Sequence, residues 1–416
     1  MRNYFKKQVS RKGKASKISS SKKARDYNLR LDKAACTEIN QFMEEAVESG
    51  VFPGAVLGIA QGEKLIYSQA FGKKAYDSNS DVSVDTVYDL ASLTKVLITT
   101  TAIMQLNELG KLNLHDYLKD FFPEVRKELE DIRIDQLMMH TSGLPAIVQL
   151  WKEPGDREKV LEYLLNLEPE GEPGKQILYG DPNFLLLGFL IEKLSGLELD
   201  QYAREYIIRP AGLKKTDFNP LANIADLEKE DIAPTEYCSW RERQIHGEVH
   251  DENCAFLGGY SGQAGLFSNI KDLVKLVAMI FNQDEKEINL LSPASSRMLA
   301  NTYTRKDGER RGLGWAKGGN IRSSSGIYFG SKASGHTGFT GTSVWTLPES
   351  GLTVTLLSNR VNGGRENQKI IKLRPRLHNL IYSLLSQDNH NTEPIGFQIA
   401  RDNDENGFSS GLKEQD

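Results

Sequence analysis

Strand-forming segments stand near both ends of this 416-residue chain and helix-forming segments fill its middle, which leaves few folds open. Gly54-Ala-Val-Leu-Gly-Ile-Ala60 and Lys64-Leu-Ile-Tyr-Ser-Gln-Ala-Phe-Gly72 are rich in apolar and β-branched residues and are split by Gln61-Gly-Glu63. They read as a hairpin. Near the other end, Ser343-Val-Trp-Thr-Leu347 and Leu352-Thr-Val-Thr-Leu-Leu357 flank Pro348-Glu-Ser-Gly351, a second hairpin. From Ser92 to about Ser195 the periodicity is helical, closing in the apolar run Phe184 to Leu194 with Gly196 as its stop. Asp32 to Ser49 and about Asn367 to Ser386 read as helices that close the domain at each end. Two hairpins so far apart in sequence hide their apolar faces best by joining one sheet. The expected fold is α+β: an antiparallel sheet flanked by helices, with an inserted all-helical lobe at about residues 92–260. It predicts one domain over residues 31–386, with a groove where lobe and sheet meet.

The termini differ from this body. The first 25 residues carry ten Lys/Arg and no acid, and residues 387–416 carry seven acids against two bases. Residues 1–30 therefore read as a disordered basic tail, and 387–416 as a disordered acidic one. Weak contact with anionic surfaces is the most the basic tail suggests. With a net charge of −4 overall, the body between the tails is acidic, which argues against a nucleic-acid partner. No hydrophobic run resembles a signal peptide or an integral membrane segment. That predicts a cytoplasmic protein, with the periplasm reached by another export route left open. Cys36, Cys238 and Cys254 are scattered, so neither a disulfide framework nor a Cys-rich metal site is expected.

The chemistry concentrates in three stretches. Ser92-Leu-Thr-Lys95 offers a hydroxyl nucleophile and a lysine one helical turn on. Ser-x-x-Lys by itself is cheap: it recurs at Ser19, Ser20, Ser268 and Ser410. Ser92 differs because Val87 to Leu90 reads as a short extended run into an almost wholly apolar helix that ends at Gly110. A helix so apolar is buried, which sets Ser92 and Lys95 on its first turn beside free N–H groups. A serine needs a base, and burial lowers a lysine's pKa, so Lys95 is expected to serve as one. Tyr179-Gly-Asp181 precedes the second apolar helix and is the chain's one Tyr-x-Asp. Tyr179 would share protons with Ser92 and Lys95, and Asp181 would bond the lysine or a substrate amide. The plainer reading makes Tyr179 a packed ring and Asp181 a helix cap.

Gly335-His336-Thr337-Gly338-Phe339 is a glycine-rich strand entrance that lets a substrate approach the backbone. His336 is expected to donate to a substrate carboxylate or a tetrahedral intermediate. The N–H groups of Phe339 and Ser92 would form an oxyanion hole. His246-Gly-Glu-Val-His250-Asp251 is the one tempting metal signal, but Gly247 and Val249 weaken a helix there and no Cys-x-x-Cys supports it. No metal and no cofactor is predicted, and the roles of His246, His250 and Asp251 stay open. His140-Thr-Ser-Gly-Leu-Pro145 reads as a structural turn. The Leu257–Phe267 stretch is glycine-rich without the Lys-Ser/Thr of a phosphate loop.

With these residues in hand, the chain resembles the class C β-lactamase-like serine hydrolases and penicillin-binding proteins: β-lactamases, D-alanyl-D-alanine carboxypeptidases, D-aminopeptidases and esterases. The likeness runs from about Asp32 to Ser386. It includes Phe52-Pro-Gly-Ala55, Met139 to Pro145, Asn183 to Gly188, Val249-His-Asp251, Gly265-Leu-Phe267 and Gly312-Leu-Gly-Trp315. The resemblance implies Ser92 as acylated nucleophile, Lys95 as its base and Tyr179 as general base and acid. Two departures stand out. The β-lactamases have Lys-Thr-Gly where this chain has His336-Thr-Gly338, and Tyr-x-Asn where it has Tyr179-Gly-Asp181.

The expected function is therefore acyl-enzyme hydrolysis of a small ester or short peptide, of the D-alanyl-D-alanine peptidase or esterase kind. Two alternatives are a weak β-lactamase and a non-catalytic binding or assembly module on the same fold.

Overall fold

The computed structural model describes residues 27–152, 155–281, 289–306, 308–320 and 323–387; both predicted tails lie almost wholly outside them. Helix α1 (Lys33–Glu48) begins where Asp32 accepts the Ala35 N–H at 2.8 Å, which satisfies one of the free donors of a helix start. Its Ile39, Met43 and Ala46 are buried.

The two hairpins do join. Strands β1 (Gly54–Gln61), β2 (Lys64–Gly72), β3 (Thr304–Lys306), β4 (Glu309–Arg311), β5 (Ala316–Lys317), β6 (Ser334–Thr337), β7 (Ser343–Leu347) and β8 (Leu352–Ser358) form one antiparallel sheet. Its order is β2-β1-β8-β7-β6-β5-β4-β3. β8 runs beside β1 in unbroken register from Leu352↔Gln61 to Ser358↔Ala55, so the C-terminal hairpin completes the N-terminal one. Alternation then sorts the side chains. Leu57, Ile59, Trp345 and Val354 pack with α1 and with helix Lys369–Leu384. Val56, Val344 and Leu357 enter a larger core on the opposite face, shared with helix Ile270–Ile280. That helix lies close because Gly58 has no side chain: a Cβ there would come within 2.6 Å of Ile270.

The middle of the chain is mostly helical. The apolar segment after Ser92 winds as one wide π turn, Lys95–Thr99, and continues as α-helix Thr100–Glu108; Gly110 follows in the left-handed region at φ +66°. The second apolar helix spans Asp181–Ser195, three residues longer at its start than the apolar run, with Pro182 in its first turn and Gly196 closing it at φ +71°. Short strands also occur in this region. Tyr88–Asp89 and Asp217–Phe218 flank Leu266–Ser268, and Tyr237–Cys238 pairs with Arg243–Gln244. The inserted lobe is thus helical with small β additions, which pin the strand before Ser92 to the stretch after the Gly-rich 257–265 loop. No helix among the described residues is long and apolar enough to cross a membrane.

Candidate active site

Ser92 lies at a sharp strand-to-helix turn. Ala91 before it is in the left-handed region at φ +47°, its N–H held by Asp89 Oδ1 at 2.8 Å. A non-glycine residue in that conformation is strained. Ala91→Gly is therefore expected to raise unfolding stability by about 1 kcal/mol, read as a shift in the urea midpoint. From Thr86 to Thr100, Ser92 is the one residue that is not buried. The fold hides this segment and shows the hydroxyl.

Lys95 Nζ is wholly buried and has a partner for each of its three protons: Ser92 Oγ at 3.1 Å, Asp181 Oδ1 at 2.8 Å and the Gln263 carbonyl at 3.1 Å. Burial alone would lower the lysine's pKa, but the Asp181 carboxylate and Tyr179 beside it outweigh burial and hold it above the ordinary lysine value. This reverses the electrostatic expectation for Lys95. At neutral pH it is an ammonium with no lone pair to accept a proton.

The Tyr179 ring is partly exposed and lies among cations and histidines. Lys95 Nζ is 5.4 Å and Arg311 Cζ 5.2 Å from its centroid, while the His140 and His336 rings are 4.4 and 5.8 Å away. Burial, then the nearby Arg311 and Lys95 charges, push both histidines well below the usual range, so both are neutral. Their partners set the tautomers. The Gly180 N–H donates to His140 Nδ1 at 3.3 Å, whereas His336 Nδ1 meets the Thr337 carbonyl at 2.8 Å and must carry the proton. His336 Nε2 is then an acceptor, which differs from the donor role expected of it.

The strand entrance is locked onto the turn that carries Ser92. Thr340 and Thr342 hydroxyls donate to the Asp89 and Leu90 carbonyls at 2.8 and 3.1 Å. Gly338 permits the approach, since a Cβ would come within 2.5 Å of the Leu90 carbonyl oxygen. Arg360 bonds the Phe339 carbonyl at 3.0 Å and Arg374 the Thr342 carbonyl at 2.7 Å. Among the described residues neither the Ser92 nor the Phe339 backbone N–H has a protein acceptor. An oxyanion hole requires N–H donors that are uncommitted in this way.

His246 and His250 do not converge. His246 Nε2 meets the Ile232 carbonyl at 2.9 Å, while His250 faces Glu236 at 3.1 Å and stacks on Phe339 with centroids 5.5 Å apart. Among the described residues no group of three or more His, Cys, Asp or Glu could hold a metal. Asp251, in contrast, belongs to the site. It caps helix Glu252–Phe256, accepts from Gln263 Nε2 at 3.2 Å, and is pushed up to about 6 by burial and the Asp181 carboxylate. The folded protein thus keeps this proton to a higher pH than the unfolded chain does. The resulting penalty is absent at low pH, grows as pH rises towards about 6, and is full above it. Asp251→Asn is therefore expected to melt level with the parent near pH 4 (about the ordinary carboxylate value) and above it at pH 8. Paired thermal melts check this.

Sequence reasoning missed His140, Arg311, Gln263 and Asp251 as members of the site. For His140 and Asp251 the signal was their place inside stretches that the resemblance had singled out. Gln263 lies in the glycine-rich Leu257–Phe267 stretch, which was singled out without a role, and Arg311 offered no signal.

A family model described as Beta-lactamase matches residues 39–375. A protein of Escherichia coli K12 named putative D-alanyl-D-alanine carboxypeptidase is 31% identical over 363 residues, covering 78% of this chain and 82% of that one. A Bacillus subtilis protein named N-acetylmuramyl-L-alanine amidase is 30% identical over 359 residues, covering 78% and 80%. Among solved structures, a β-lactamase/D-alanine carboxypeptidase from Pseudomonas syringae superposes with a TM-score of 0.68 at 17% identity, over 86% of this chain and all of that one.

Proposed function

The chain belongs to the Beta-lactamase family, and from that premise we propose that it is a serine hydrolase using Ser92 to cleave short alanyl peptides or related esters. The observation that carries the assignment is Ser92 itself: partly exposed in a buried segment and hydrogen-bonded to Lys95, with its own N–H and that of Phe339 uncommitted among the described residues.

The chemistry follows from the charges. Ser92 Oγ attacks the substrate carbonyl carbon as its proton passes to the Tyr179 oxygen, an acceptor that the adjacent Lys95 and Arg311 cations favour. Lys95 keeps its own protons. It donates to Oγ, aligns it, and offsets the negative charge that moves between Tyr179 and the reacting centre. The Ser92 and Phe339 N–H groups hold the developing oxyanion. Tyr179 then gives the proton to the departing amine or alcohol as its bond to the acyl carbon breaks. In the second half, Tyr179 takes a proton from water as the water attacks the ester, and returns it to Ser92.

The names of the Escherichia coli and Bacillus subtilis relatives both speak of amide bonds at alanine, which supports a peptide substrate. His336 in place of a lysine, and Asp181 in place of a neutral amide, argue against efficient β-lactam turnover.

The test is covalent. A fluorophosphonate should label the intact protein once, with the added mass on the peptide carrying Ser92. An absence of both labelling and p-nitrophenyl acetate turnover would overturn the assignment and leave a binding module on the same fold.

A further inference from the structure

We propose that His250 and Asp89 are positioning residues for the reaction at Ser92: the His250 ring fixes Phe339, and the Asp89 carboxylate joins His250 to the turn that carries Ser92. This rests on the reading of Ser92 as the nucleophile and of the Ser92 and Phe339 amides as the oxyanion hole. It adds what holds two amides from distant parts of the chain in one arrangement.

Asp89 is the joint. It is buried, and each of its carboxylate oxygens accepts one backbone N–H. Oδ1 takes that of Ala91, the residue before Ser92, at 2.8 Å; Oδ2 takes that of His250, 161 residues on, at 2.7 Å. The Asp89 carbonyl accepts the hydroxyl of Thr340, the neighbour of Phe339, at 2.8 Å. One residue thus bonds three segments that the sequence keeps far apart. Ala91 needs such a hold, because at φ +47° it occupies a conformation that non-glycine residues avoid.

His250 is fixed along its backbone and at its ring. Arg241 donates to its carbonyl at 2.6 Å, while Asp89 holds its N–H. Its Nε2 faces Glu236 Oε1 at 3.1 Å, and both side chains are almost wholly buried. Burial pushes the Glu236 carboxyl up, but His250 and Arg365 outweigh burial and hold it below the ordinary value, so it is ionised. Arg365 in turn bonds Glu236 at 2.8 Å and Glu252 at 2.7 Å, which ties the assembly to helix Glu252–Phe256.

Phe339 is what this assembly grips. It is 46% exposed, so core packing does not fix its ring. The His250 ring stacks on it instead, with centroids 5.5 Å apart and planes 27° from parallel. The Arg360 guanidinium lies 4.8 Å from the Phe339 centroid and donates to the Phe339 carbonyl at 3.0 Å. An oxyanion donor stabilises the transition state most when it is in place before the charge develops. A residue held at its ring and its carbonyl presents its N–H in that way.

The experiment compares the full-length parent with His250→Ala, which removes the ring but keeps the N–H that Asp89 binds, and His250→Phe, which restores a ring without its nitrogens. Acylation and deacylation both pass through an oxyanion, so a displaced amide slows both steps and leaves KM nearly level. His250→Ala is expected to lower kcat for p-nitrophenyl acetate by about 10- to 100-fold, short of the roughly 10²- to 10³-fold that outright loss of a donor costs. KM should change by no more than about threefold. Phenylboronic acid, whose tetrahedral adduct on Ser92 carries an oxygen into the oxyanion hole, should bind His250→Ala about tenfold more weakly. His250→Phe should bring both readouts back to within about threefold of the parent, since the flat ring is what stacks. Should His250→Ala fail to fold, His250→Leu, which fills the space without a flat ring, takes its place with the same expectations. Asp89→Asn, which turns an amide NH2 towards one of the two N–H groups, should lower kcat and boronate affinity in the same direction. A parent-like kcat and boronate affinity without the ring overturn the proposal, as does a His250→Phe variant no better than the ringless one. A parent enzyme that neither hydrolyses the ester nor forms the boronate adduct would instead remove Ser92 as the nucleophile, and these roles with it.

Discussion

Ser92→Ala is expected to lower ester hydrolysis by roughly 10³- to 10⁶-fold and to abolish fluorophosphonate labelling, with little change in melting temperature. The loss is large because the other groups of the site work through this oxygen. Lys95 aligns it, Tyr179 takes its proton, and the two amides stabilise an oxyanion that forms only after it attacks. What remains in the variant is substrate binding and two idle donors. The stability effect is small because the hydroxyl is partly exposed and its one partner, Lys95, keeps its bonds to Asp181 and the Gln263 carbonyl. A variant retaining more than a few per cent of the parent rate, measured with material purified free of contaminating esterase, would sink the assignment.

The large elements were legible because their signals are local. Short apolar and β-branched runs at Gly54–Ala60 and Ser343–Leu347, and Gly196 after a longer apolar run, mark strands and a helix end without reference to anything distant. Strands β3 and β4 were not, since Thr304–Lys306 and Glu309–Arg311 are short and charged and pair with each other against the edge that β5 offers. The same division holds in the site. Ser92 could be separated from four rival Ser-x-x-Lys matches by its apolar surroundings. The charge state of Lys95 could not be read, because it depends on Asp181 and Gln263, 86 and 168 residues away in sequence. Burial was foreseen, and burial alone points to a neutral lysine. Only the arrangement in space shows that a carboxylate overrides it. His336 fails likewise, since its tautomer is set by a carbonyl that no motif records.

Tyr179→Phe is expected to lower kcat by about 10²- to 10⁴-fold while KM changes by a factor of a few. The change removes one oxygen and leaves the ring against His140 and His336, so packing survives. What is lost is the group to which we assign both acceptance of the Ser92 proton and its delivery to the leaving group. Two rivals exist for that duty. Lys95 is one, but a fully partnered ammonium cannot accept a proton, and its first proton would have to leave against the pull of Asp181. His336 is the other: it is neutral and its Nε2 is an acceptor, so it is a competent base in principle. Its ring packs beside that of Tyr179, with centroids 5.8 Å apart, and we assign it to assist Tyr179 rather than to replace it. His336→Gln should therefore cost less than Tyr179→Phe. If the order is reversed, His336 is the base and Tyr179 its spacer. If Tyr179→Phe keeps a tenth of the parent kcat, the proton leaves Ser92 by neither route, and Lys95 must act as a base despite the carboxylate beside it.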